Sequence, residues 1–359
     1  MKKKEQSKFG IINLIALCVL VLILSCVPTL KIVAKADDFV EQNFVEEGSS
    51  LQGILEIWNI DTFEAGTFSK ESFLLEVAKE FQNLNKGTYV LVRNMSVEEM
   101  NLELEGGKTP DLFSFGFGLG NVLSEYLAPV KINGGDKFGS VQDSGLKNEE
   151  RLAVAYLLGG YFLFSTGENL LNANISAESV DLTQYVNSAG YVKKLRKGEK
   201  QVYSMSFGCN DFVSPLNALG SVEVDPSNTL KLDNDFEAYQ SFVSLNTSTI
   251  LLGTQRSLAR FENKVKLGQL DSFICNPLSP YCDLVQYLGV SKNATDIKKE
   301  YAQKFVDLTL NESMQEKVLG IGMLPVSAIA DWEAVSASPQ LMALYGKYEE
   351  EIIVPKLFS

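Results

Sequence analysis

The chain of 359 residues contains no histidine. That single absence excludes Ser-His and Cys-His nucleophilic catalysis, histidine-ligated zinc and a histidine pH switch. Cysteine is scarce, with five residues and no CxxC spacing, so neither a dithiol redox site nor a cysteine-rich metal site is indicated. Cys18 and Cys26 fall in the N-terminal apolar segment; Cys209, Cys275 and Cys282 remain, an odd number, and a Cys275–Cys282 bridge is left open. Positive charge is in deficit, 32 Lys and Arg against 45 Asp and Glu, for a net charge of −13. A surface of that sign repels phosphate backbones and excludes nucleic acid as a partner. There are no internal repeats, no low-complexity tracts and no motif that calls for a cofactor.

What is present begins with a basic N-terminus. Lys2, Lys3, Lys4 and Lys8 precede an almost unbroken apolar run from Phe9 to Val27, ended by Pro28 and followed by the small-x-small site Ala34-Lys35-Ala36. Residues 1–36 are read as an export signal or as a retained membrane anchor, since the run approaches the ~20 residues that span a bilayer. Ile23-Leu24-Ser25-Cys26 resembles a lipobox, so lipidation at Cys26 is a second processing route beside cleavage after Ala36. Either route puts the folded part outside the cytoplasmic membrane, lipid-anchored on its outer face or secreted. Loss of these residues removes six lysines and one glutamate, taking the net charge from −13 to −18. Residues 37–52 are acidic and aperiodic and read as a tether.

Strands and helices then alternate. Leu55 to Trp58 is a strand, and Phe73, Leu74, Val77, Ala78, Phe81 and Leu84 recur at helical spacing until Asn85-Lys86-Gly87 ends the helix. Tyr89 to Val92 is a strand, Met95 to Leu104 a short helix, Asp111 to Phe115 a strand, and Asn121 to Leu127 a helix. Leu152 to Phe164 is a strongly apolar run bent at Gly159-Gly160. Leu170 begins a helical stretch, Leu182 to Leu195 reads as a further helix, and Lys200 to Glu262 is poorly patterned apart from a helix at Phe236 to Leu245, a strand at Thr249 to Leu252 and a helix from Gln255. Leu284 to Val290 is a strand, and three helices follow, around Ile297 to Leu308, Glu312 to Leu319 and Pro339 to Ile352. The alternation predicts an α/β fold, and the length predicts two lobes.

Four segments carry a family resemblance. They are AKEFQNLNKGTYVLV (78–92), GGKTPDLFSF (106–115), LAVAYLLGGYFLFSTGENLLNANI (152–175) and YAQKFVDLTLNESMQEKVLGIGMLPV (301–326). In this order they resemble the family 1 extracellular solute-binding proteins of bacterial ABC importers, the class that includes maltose-binding proteins. Two departures are Ala155, where the family has proline, and Ser165 to Gly167, where it has Tyr-Asn. The resemblance implies a bilobal periplasmic-binding-protein type II-like fold. Residues 53–157 and 286–320 would form lobe 1, residues 158–285 and 321–359 lobe 2, with a hinge between them. It also implies a monomer that closes on a sugar or oligosaccharide, delivers it to an ABC permease and has no catalytic step.

The candidate site residues follow from that frame. The loop after the first strand holds Asn59, Asp61, Thr62 and Glu64, and ionised Asp61 and Glu64 would accept hydrogen bonds from sugar hydroxyls. Sugar rings lie on aromatic faces, and Trp58, Phe115, Phe117, Tyr161 and Trp332 are the candidates. Arg256, after a second-lobe strand, would meet the solute from the other side. Gly116-Phe117-Gly118-Leu119-Gly120 has the wrong spacing and place for a dinucleotide loop and reads as a flexible cleft loop. Two rival readings stay open: an exported carbohydrate-active enzyme using the acid pair, and a ligand-sensing subunit of a membrane kinase.

Overall fold

The computed structural model describes residues 51–133, 138–178, 180–196, 198–326 and 338–358. The signal or anchor, Cys26, nearly all of the tether, and Trp332 lie outside the described residues. In chain order the elements are β1 (Gly53–Ile60), α1 (Lys70–Leu84), β2 (Thr88–Met95), α2 (Val97–Glu105), β3 (Leu112–Gly116), α3 (Gly120–Leu123), α4 (Gly139–Asp143), β4 (Leu146–Lys147), β5 (Glu150–Arg151), β6 (Val154–Leu158), β7 (Tyr161–Ser165) and α5 (Gly167–Asn172). They continue as β8 (Tyr191–Leu195), β9 (Gly198–Gly208), β10 (Thr229–Leu232), α6 (Asp235–Leu245), β11 (Ser248–Thr254), α7 (Gln255–Lys266), β12 (Ile274–Pro277), β13 (Val285–Val290), α8 (Asp296–Thr309), α9 (Glu312–Val318), β14 (Leu324–Pro325) and α10 (Pro339–Glu350). Leu55–Leu84 with Val90–Ser359 forms one compact unit. Residues 51–54 cluster separately with Asn85–Tyr89, where Gly53 N–H donates to Gly87 O at 3.1 Å.

Two six-stranded sheets organise the large unit. The first has the order β14-β6-β13-β3-β1-β2, and the second runs β10-β9-β11-β7-β12 with β8 paired to β9. In the first, β1 and β3 are parallel, and β13 runs antiparallel to both β3 and β6. In the second, β9, β10 and β11 are parallel, and β7 is antiparallel to β11 and β12. Strands β3, β6, β7, β11 and β13 are buried along their whole length; β6 and most of β7 accordingly read as one apolar run, whereas β3, β11 and β13 also bury Ser114, Ser248, Thr249 and Gln286.

The α1 stripe buries Phe73, Leu74, Val77, Ala78 and Phe81 as its spacing predicts, but Leu84, expected on the same stripe, is exposed at the helix end; Phe81 meets Phe305 of α8 at 5.4 Å between ring centroids. Helix α2 is held at its start by a capping box between Ser96 and Glu99. The second sheet is sealed by a ring cluster in which Phe164 stacks on Phe261 at 4.9 Å and Phe261 stacks on Phe273 at 5.3 Å.

Two passages between the sheets lie side by side. One is Gly159-Gly160, between β6 and β7; the other precedes β13, and Gly159 N–H donates to Leu284 O at 2.6 Å. A Cβ at Gly160 would meet the end of the Leu344 side chain, so a larger residue there would force that leucine to turn away. At this crossing Asp283, buried, accepts from the Tyr161 hydroxyl at 2.7 Å, Ser214 N–H at 2.7 Å and the Tyr281 hydroxyl at 3.0 Å. Burial pushes its carboxyl above the ordinary range.

Some expectations are corrected. Leu182 to Leu195 is not a helix: a 3-10 turn covers Leu182–Tyr185, and Tyr191–Leu195 is the edge strand β8, whose Val192 and Leu195 face solvent. An edge strand with exposed apolar residues gives no burial-driven alternation to read. The helix expected from Asn121 to Leu127 is only the four residues of α3. Leu324–Pro325 of the return segment, expected in the second lobe, pairs with β6 of the first sheet. Cys209, Cys275 and Cys282 are all free thiols, and Cys282 is buried against Gly159 O instead of bridging Cys275.

Candidate functional site

In each sheet the parallel strands end on one edge, and the loops that leave those edges meet. From the first sheet comes the loop after β1. From the second come Cys209-Asn210 after β9, the start of α6 after β10, and α7 after β11. Parallel α/β sheets bind ligands in crevices of this kind. A cavity of about 430 Å³ opens there, lined by Asp61, Thr62, Phe63, Glu64, Cys209, Asn210, Asn234, Asp235 and Phe236. That volume lies within the range of small-molecule sites.

Polar contacts tie the two walls together. Asn210 Nδ2 donates to Thr62 O at 2.9 Å. Gln255 Nε2 donates to Glu64 O at 2.7 Å, while its Oε1 accepts from Gly160 N–H at 3.0 Å. Arg256 Nη1 donates to Gly66 O at 2.9 Å and Thr67 O at 3.1 Å. Arg260 Nη2 pairs with Glu64 Oε2 at 3.1 Å and lies over the Phe236 ring, 5.1 Å from its centroid. The loop is clamped behind as well: Thr67 N–H donates to Ile321 O at 2.9 Å, and a Cβ on Gly66 would collide with the Gly322 carbonyl.

The acids differ in setting. Asp61 is held by Asn59 Nδ2 at 3.2 Å and by the ammonium of Lys70 at 3.3 Å. Asn59 in turn donates to Asn94 Oδ1 at 2.7 Å and accepts from Ser114 Oγ at 2.8 Å, so Asp61 is anchored to a buried polar network. Asp235 is half-buried and has no hydrogen-bond or ion-pair partner among the described residues. Burial, then the Glu64 carboxylate, pushes its carboxyl up to about 6, with Arg260 opposing.

The expected site residues divide. Asp61 and Glu64 line the cavity, and Arg256 reaches across to the loop that carries them. Phe117 is half-buried beside this loop, its carbonyl accepting from Thr62 Oγ1 at 3.0 Å. Trp58, Phe115 and Tyr161 are corrections. Trp58 is packed edge-on to Phe113 at 5.9 Å, Phe115 lies against Tyr287 at 6.0 Å, and Tyr161 is buried with its hydroxyl on Asp283. Aromatic residues inside buried strands fill the core and offer no ring face to a solute. Gly118 in the following loop holds φ +96°, and a Cβ there would meet Phe212 at 3.0 Å, so the position favours glycine. Six cavity residues are not anticipated by the sequence: Phe63, Cys209, Asn210, Asn234, Asp235 and Phe236, the last 52 % exposed. The Asn234 cap, whose side chain accepts from Glu237 N–H, was the available signal for a helix start at this edge.

No family model matches the chain, and no curated protein matches it. Solved structures do. The GacH receptor of Streptomyces glaucescens GLA.O, solved unliganded and with acarbose, superposes with a TM-score of 0.61 at 14% identity, over 86% of this chain and 89% of that one. The sugar-binding protein MalE from Xanthomonas citri gives 0.60 at 16% identity, over 85% and 87%. Iron-bound HitA from Pseudomonas aeruginosa gives 0.53 at 15% identity, over 84% and 92%. A receptor solved with acarbose, a sugar-binding protein and an iron-bound protein thus share one architecture with this chain, a bilobal, periplasmic-binding-protein-like α/β fold.

Proposed function

We propose that this protein is a carbohydrate-binding receptor, the extracellular solute-binding component of an ABC importer. The observation that carries this reading is the cavity where the two sheets meet. It combines acceptor carboxylates (Asp61, Glu64, Asp235), the amide side chain of Asn234 and one exposed aromatic face, Phe236. Carboxylates and amides hold hydroxyls, and a ring face takes the C–H side of a sugar. The hinge is the paired crossing at Gly159-Gly160 and Cys282 to Leu284. A solute touching both walls favours the closed population. Residues 53–157 with 286–320 belong to one lobe, joined by the return strand, and 158–285 with the C-terminal helix to the other.

Asp61 is engaged by Lys70 and Glu64 by Arg260. That pairing favours binding over the acid–base chemistry of a glycosidase, so the protein acts without a catalytic step. It works as a monomer on the outer face of the membrane, tethered through residues 37–52 after lipidation or anchoring, or secreted, and it hands its solute to a permease. A thermal-shift screen against neutral, amino and acidic oligosaccharides, peptides and anions tests this. A true ligand at about 100 Kd adds ~2.7 kcal/mol to stability. A shift with a peptide or anion and with no carbohydrate would replace the reading.

A further inference from the structure

We propose that Lys70 is a positioning residue for this site: its buried ammonium holds Asp61 and the Phe63 carbonyl in their binding arrangement before solute arrives. The inference rests on the binding role proposed above. Lys70 is the first residue of α1 and is fully buried. Both facts count against a lysine. Cations are disfavoured at the positive end of a helix, and lysine is almost never fully buried unless paired. A residue that breaks two local rules at once marks a site where function outweighs local fit.

Its contacts show what it holds. Nζ donates to Phe63 O at 2.6 Å, lies 3.3 Å from Asp61 Oδ1, and stands 3.5 Å from the centroid of the Phe63 ring. Burial lowers the ammonium's pKa, and the Asp61 carboxylate beside it opposes that. All three partners belong to the loop after β1, which supplies Asp61, Thr62, Phe63 and Glu64 to the cavity wall. Asp61 Oδ1 is thus fixed from behind by Lys70 and Asn59, while Oδ2 has no partner among the described residues and the side chain is 32 % exposed. A loop would otherwise be the most mobile part of the site. Ordering it in advance removes that cost from binding.

The test uses the full chain and three variants: Lys70→Met, Asp61→Asn and the double variant, with Leu74→Ala as a control for lost stability. Leu74 is buried on the same helix and is not among the residues that line the cavity. In the ligand-free protein, Lys70→Met should raise amide exchange selectively over residues 61–67, whereas Leu74→Ala should not. Titrated with acarbose, maltotriose and amino-sugar oligomers as probes, Lys70→Met should weaken the best binder by at least about tenfold, the size of a contact-range coupling. Leu74→Ala should leave the affinity unchanged, and Asp61→Asn added to Lys70→Met should cost little more than Lys70→Met alone. Unchanged loop exchange, unchanged affinity, or additive losses in the double variant would overturn the positioning role while leaving the receptor reading intact. Wild-type protein that binds none of the probes counts against that reading and takes this inference with it.

Discussion

Replacing Asp235 with asparagine should stabilise the protein at neutral pH and leave it nearly unchanged at pH 4. The Asp235 carboxyl is pushed up to about 6, first by burial and then by Glu64. A carboxyl whose folded value exceeds its unfolded value of ~3.9 binds its proton more tightly when folded. Ionising it therefore costs folding free energy above pH ~6, and the cost fades as the pH falls through the folded value toward the unfolded one. The gap to the ordinary value corresponds to roughly 3 kcal/mol. The side chain still meets water, and screening reduces this to about 1–2 kcal/mol. One effect opposes it: Asp235 opens α6, where a negative charge gains about 0.3–1 kcal/mol from the helix dipole. Burial beside Glu64 is the larger, so the net gain for asparagine at pH 7.5 is on the order of 1 kcal/mol. Urea unfolding of both proteins at pH 4, 5, 6 and 7.5, at constant ionic strength, reads it as a difference in midpoint at equal slope. A variant less stable than wild type at pH 7.5, or a difference that does not change across the range, would refute the reasoning.

Three further outcomes are expected. Phe236→Ala should weaken carbohydrate binding by about tenfold or more, as loss of an aromatic anchor does, with little change in melting temperature because the ring is half exposed; calorimetric titration checks both. Gly66→Ala should cost about 1–3 kcal/mol, because its Cβ meets the Gly322 backbone and not a side chain that can turn away. Gly320→Ala, with open space around it, should stay within about 0.5 kcal/mol, and denaturation of the pair separates close approach from loss of glycine as such. Asp283→Asn should destabilise by about 1–3 kcal/mol at pH 7.5 although burial raises that carboxyl too, because the amide cannot accept from all three donors that Asp283 satisfies; chemical denaturation should show the sign opposite to Asp235→Asn.

The parts of the fold that bury a continuous face were legible. The α1 stripe, the apolar run bent at Gly159-Gly160 and the helices after Asp296 all announce themselves because burial dictates their residue types. Strands β8 and β9 did not, since β8 is an exposed edge rich in lysine and much of β9 is polar where it leaves the core. Of the candidate site only the loop after β1 was legible. Asp61 and Glu64 stand out in a loop after a strand, but an aromatic residue in a strand is core more often than platform, which is how Trp58, Phe115 and Tyr161 misled. Phe236 was hidden because its exposure is set by a helix that starts at the sheet edge. Lys70 was hidden for another reason: nothing in a lone lysine near a helix start tells burial from solvation, which depends on partners seven and nine residues away in the loop.

The strand order of the first sheet has a consequence for how the chain folds. Strand β13 lies between β3 and β6, yet residues 159–284 separate it from β6 along the chain, and those residues hold the whole second sheet. Until β13 is inserted, β6 and β3 have no common neighbour, and the first sheet exists only as two unjoined pieces. Closing so long a loop is slow, whereas β7 to β12 are contiguous and can pair without waiting. The second sheet should therefore form first and bring its own two ends together at Gly159 and Leu284, delivering β13 to its slot. Pulse-labelled hydrogen exchange during refolding would show the order directly, with β9 and β11 protected before β3 and β13.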